Sequence, residues 1–142
     1  MVLTDQLPAG RDPVSARVVS FDSGVSADNL TAATTAANDA DITLNAAAKT
    51  VTFDFGTVTA TGAADGAANF DAEIVVEVVG VLLETASGAQ TNTATLDVTA
   101  PDGSGTVLQP PVTGTDTVTP VAPTLTMDKA VGFPAANPGD PV

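Results

Sequence analysis

The clearest periodicity lies at residues 50–55, where Val51, Phe53 and Phe55 alternate with Thr50, Thr52 and Asp54 before Gly56 closes the run. Period-two alternation sends side chains to opposite faces of a strand, so this segment predicts a half-buried β-strand. Residues 2–10 (VLTDQLPAG) predict a short strand that stops where Pro8 removes a donor and Gly10 permits a tight turn. A second strand with mixed alternation is expected at residues 14–21. Residues 22–41 carry few large apolar side chains and are expected to form a long loop, with a short helix around 29–37.

Residues 73–84 are apolar on both faces, with Ile74, Val76, Val78 and Leu82 set against Val75, Val79, Val81 and Leu83. That is the pattern of a central strand covered on both sides, and Gly80 suggests a bulge within it. Residues 92–98 alternate again, placing Asn92, Ala94, Leu96 and Val98 inside and Thr93, Thr95 and Asp97 outside. Residues 101–123 are rich in Pro, Gly and Thr and suit an extended edge or a linker. Strand character resumes at residues 125–131. Short strands separated by turns, without helical periodicity, predict an all-β, antiparallel, immunoglobulin-like β-sandwich.

Composition narrows the functions open to such a fold. The 142 residues carry 17 acidic and four basic side chains, a formal charge of −13, and this field repels phosphate and anionic lipid. Nucleic acid is therefore excluded as an expected partner, and no apolar run is long enough for membrane insertion. The absence of Cys, His, Trp and Tyr removes thiolate chemistry, the commonest general base and the platforms that stack sugars. No enzyme activity is expected. Asp54, Asp71, Glu73 and Glu77 could in principle pair as glycosidase carboxylates, but there is no aromatic platform and Glu77 sits in an aliphatic strand. No cofactor is required by any motif. Asp39, Asp41 and Asp71 are the oxygen ligands open to a calcium ion, although their spacing matches neither an EF-hand loop nor a glycine-rich calcium repeat and a solvated acidic surface is the preferred account. Asn29-Leu30-Thr31 is a formal glycosylation acceptor.

Four stretches taken together resemble a family. TDQLPAG at 4–10, TVTFDFGTV at 50–58 and TNTATLDV at 91–98 resemble, in order, the later parts of the DUF11-like conserved extracellular repeats of large bacterial and archaeal surface proteins. LTMDKAVGFPAANPGDPV at 125–142 resembles the opening strand of such a repeat, in which a Lys precedes a Pro-Gly-Asp turn. The resemblance implies three parts: a module over 1–100 that lacks its first strands, a linker or edge over 101–123, and the start of a next module, or a donor strand, over 124–142. An incomplete sheet leaves unpaired edges, so Leu125, Met127, Lys129 and Val131 are candidates for a strand that fills the gap by folding back or by entering a neighbour.

Some relatives of the family form an internal Lys–Asn isopeptide bond assisted by a buried acid. By position, the residues this implies are Lys129 and Asn92, with Glu73 or Glu77 as helper. Ordinary polar residues at strand edges are the competing and preferred account. The resemblance further implies a secreted or cell-surface location and neighbouring copies or repeats of the same protein as partners. It points to a structural role as stalk, spacer or adhesin scaffold. A self-assembling filament or surface-layer subunit joined by strand exchange is the first alternative, and a calcium-dependent adhesive or carbohydrate-binding module the second.

Overall fold

The computed structural model describes residues 1–61, 73–84, 86–100 and 102–121. Among them nine strands form: β1 Val2–Gln6, β2 Arg11–Phe21, β3 Val25–Ala27, β4 Ile42–Asn45, β5 Thr50–Asp54, β6 Val58–Ala60, β7 Ile74–Leu82, β8 Gln90–Thr99 and β9 Val107–Val118. All pair antiparallel, in a five-stranded sheet ordered β4-β5-β1-β8-β9, a two-stranded sheet β2-β7 and a small ribbon β3-β6. The sheets pack together as an all-β sandwich.

The alternation at residues 50–55 becomes the centre of the core. Val51, Phe53 and Phe55 are buried together with Leu7, Ala16, Val18, Leu30 and Ile42. Phe53 and Phe55 stack at 6.2 Å between ring centroids, and Phe21 meets the edge of Phe55 at 6.2 Å and 85°. Each buried large apolar side chain contributes about 1.5–3 kcal/mol. Strand β2 is longer than its apolar residues suggest, beginning at Arg11, and register shifts at Pro13/Ser15 and Val18/Ser20 interrupt its ladder with β7. Pro13 is tolerated because it sits beside a bulge on an edge strand, where a missing donor costs little. The irregularity expected at Gly80 therefore falls on the partner strand, since Pro13 is the residue opposite Gly80.

Residues 22–41 contain no helix. They hold β3, a series of turns and a single bridge from Thr35 to Arg17. Leu30 anchors the segment at 1% exposure, and the backbone amide of Asn29 donates to the carbonyl of Phe55. Tertiary burial of one leucine, together with Thr31 and Thr34 hydroxyls that compete for backbone partners, outweighs the helical tendency of the alanines. Residues 107–118, read as linker or edge, form β9 along the rim of the five-stranded sheet.

The two layers are unequal. Strand β2 lies against β4 and β5, and β7 faces β1 and β8. The second layer ends at β7, so the inner face of β9 has no cover among the described residues: Val112 is 54% exposed and Val118 49%. This mismatch positions the candidate site.

Candidate functional site: an open groove between the layers

Between β7 and the large sheet two hollows lie at the two ends of an open groove along β8, and beyond β7 the inner face of β9 is exposed among the described residues. One end is a cleft of about 810 Å³ with apolar walls, where Leu3 and Leu96 of the large sheet face Ile74 and Val76 of the small one. The other end is a cavity of about 190 Å³ with a polar lining that includes Asp5, Arg11, Asn92 and Asp116. Asn92 is four residues from Leu96 on β8, and Gly80 of the polar end is four residues from Val76 on β7. At strand rise the two ends are therefore about 13 Å apart.

The floor changes character in steps of two residues. Leu96 lies opposite Val112, Ala94 opposite Gly114 and Asn92 opposite Asp116. The sequence is thus large apolar, then small, then polar. Asn92 donates its side-chain amide to Asp5 Oδ1 at 2.6 Å. Asp5 is only 7% exposed, and burial raises its pKa above the ordinary value of 3.8, with the Asn92 hydrogen bond acting in the opposite direction. Asn92 Oδ1 and Arg11 Nε are both buried without a hydrogen-bond partner among the described residues. An unpartnered buried acceptor and donor each cost about 1–3 kcal/mol, so the polar end is incomplete as it stands.

The residues expected to act with Asn92 are distributed differently. Glu77 points to the outer face, where it forms an exposed ion pair with Arg17 at 2.8 Å. Glu73 lies at the opposite, apolar end of the groove, its backbone amide donating to Asp22 Oδ2. Neither is the carboxyl beside Asn92; that carboxyl is Asp5, which pattern reading placed within a strand without assigning it a role. Its signal was an acid at the same parity as Leu3 and Leu7, and hence on the inner face. Lys129, with the rest of the donor-strand candidates Leu125, Met127 and Val131, lies outside the described residues.

The calcium candidates are likewise separated from a ligand arrangement. Asp39 Oδ1 accepts the backbone amide of Asp41 at 2.9 Å, which closes a turn, and Asp71 lies outside the described residues. Among the described residues no group of three or more metal-ligating side chains forms. No helix there is long and apolar enough to cross a membrane. Comparison with protein-family models, curated proteins and solved structures returned no match.

Proposed function

We propose that this chain is a structural subunit that joins copies of itself by β-strand exchange, each sandwich accepting into its groove a strand from a neighbour. The observation that carries this reading is the unequal layering. Among the described residues β7 ends a two-stranded layer with an unpaired backbone edge, and the large sheet extends past it to β9, whose inner-face Val112 and Val118 are exposed. Unpaired edges beside apolar surface favour strand addition, in which the ladder supplies affinity and the side-chain pockets supply specificity. A single strand laid along β7 would cover the floor and satisfy the edge together.

Supporting this reading, the chain holds its own candidate strand at residues 125–131, and its motifs at 4–10, 50–58 and 91–98 resemble those of extracellular surface repeats. The reading assigns the protein a mechanical and positional role outside the cell and no catalytic step. Negative-stain electron microscopy of the purified chain tests it: linear polymers support strand exchange, whereas single particles of one chain favour an independent spacer.

A further inference from the structure

We infer that the strand taken up by the groove is residues 125–131 of a second copy, running parallel to β7, with Lys129 seated against Asp5, Asn92 and Asp116 at the polar end. This rests on the strand-exchange reading and adds to it the direction, the register and the residue that fixes both.

The spacing carries the inference. In LTMDKAV the odd positions Leu125, Met127, Lys129 and Val131 share one face, and Thr126, Asp128 and Ala130 share the other. The groove presents the floor pairs Leu96/Val112, Ala94/Gly114 and Asn92/Asp116 at the same two-residue interval. A strand entering at the apolar end sets Leu125 over Leu96 and Val112. It then sets Met127, the long flexible side chain, over the smallest pair, and Lys129 over the two polar residues and Asp5. The ammonium supplies the donor that Asn92 Oδ1 lacks and a counter-charge to Asp5. A backbone carbonyl of the same strand can accept from Arg11 Nε, the other unpartnered atom of the cavity.

Charge supply agrees. Of the four basic side chains, Arg17 pairs with Glu77, Lys49 pairs with Asp12 and Arg11 already lines the cavity. Lys129 is the remaining cation in the sequence.

Direction separates a neighbour's strand from the chain's own. β9 runs from Val112, opposite Leu96, to Val118 at the polar cavity. A chain that turns back directly from β9 enters its own groove at the polar end, laying Leu125 near Asn92 and carrying Lys129 toward Leu96 and Ile74. A neighbour's strand can enter from the apolar end without that reversal.

The chain lacks cysteine, so engineered thiols report placement cleanly. Two full-length chains of different tag size, one carrying Leu125→Cys and the other Leu96→Cys, are mixed, allowed to assemble and treated with a short thiol-specific cross-linker. The expected product is a heterodimer, with Leu125→Cys plus Val118→Cys giving at least about tenfold less, since those positions then lie at opposite ends of the groove. Preferential 125–118 products would overturn the proposed direction. In a further full-length chain that carries both Leu125→Cys and Leu96→Cys, cross-links formed only within single chains, with no heterodimer in the mixed sample, would overturn the neighbour as donor. Polymers that form without 125–96 products would overturn the register while leaving strand exchange standing, and a lack of polymers removes both. In a parallel arm, Lys129→Met keeps an apolar strand and is expected to weaken assembly about tenfold, the scale of one favourable charge contact. Unchanged assembly by Lys129→Met would remove Lys129 as the residue that fixes the register.

Discussion

Asn92 donates its amide to Asp5 at 2.6 Å while its own carbonyl oxygen, buried beside it, receives no hydrogen bond among the described residues. The pair is half satisfied, and a half-satisfied buried polar pair destabilises the fold that contains it. The pair lines a cavity with Arg11 and Asp116, where a group from another molecule can complete it.

Asp5→Asn should therefore stabilise the isolated chain while impairing assembly. An amide at position 5 keeps the acceptor that Asn92 uses and adds a donor for Asn92 Oδ1, a gain of about 1 kcal/mol. Urea unfolding of the two chains under conditions that keep both monomeric, with electron microscopy of the same samples at assembly concentration, checks both halves.

The pH dependence of stability should change with the same substitution. Burial raises the folded-state pKa of Asp5, so the folded chain holds that proton more tightly than the unfolded chain does. Asp5 then favours folding at low pH, and that contribution is lost as pH rises from 3.8 through the raised folded value. Arg11 and Asp116 line the same cavity, and Asp41 and Asp102 also titrate with shifted pKa values, raised and lowered respectively. The difference between wild type and Asp5→Asn isolates the one group: the stability advantage of the variant should grow across that window and level off toward neutral pH, as followed by thermal melting at stepped pH.

Gly24→Ala should be among the most damaging small substitutions. Gly24 adopts φ +83°, and an added Cβ would sit 2.3 Å from the carbonyl oxygen of Thr61. Thr61 is itself held in place, its amide donating to the Gly24 carbonyl at 2.7 Å. A cost of about 2 kcal/mol or more is expected from the combined strain and clash, read as a lowered urea midpoint. Phe53→Ala, at 0% exposure in the middle of the aromatic cluster, should cost about 3–5 kcal/mol and leave the chain largely unfolded by circular dichroism.

How much of this was legible in the sequence follows from how local each cause is. The strand at 50–54 and its buried Val51 and Phe53 were plain, because period-two alternation and burial on one face are the same fact. The all-β class followed from alternation repeated at β8, the run of β-branched residues at β7 and the turns between them. The ribbon β3-β6 and the burial of Leu30 were hidden, since these short segments owe their form to partners 26 to 35 residues away and not to their own periodicity, while β4, paired with β5 only 5 to 11 residues on, is too short to show a period. The candidate site was half legible: Asn92 was placed on an inner face, but its carboxyl partner was sought among Glu73 and Glu77, close to the long apolar strand. Antiparallel pairing of β1 with β8 instead brings Asp5 across, 87 positions away in sequence.

Ionic strength should promote assembly. Copies that each carry a formal charge of −13 repel one another, and screening shortens that repulsion from a Debye length of about 30 Å at 0.01 M to about 8 Å at 0.15 M. A charge contact buried in the groove is screened far less. Turbidity or light scattering across that salt range should show faster assembly with added sodium chloride, reaching a plateau once the copies no longer repel at contact distance.

The central claim, that a strand from a neighbour completes the sandwich, is tested most directly by light-scattering mass of the full chain against a chain ending at Val121. The account predicts polymers for the first and a folded monomer for the second, whose polymers do not form at any salt concentration in that range. Equal masses for the two chains, whether both monomeric or both polymeric, would contradict it.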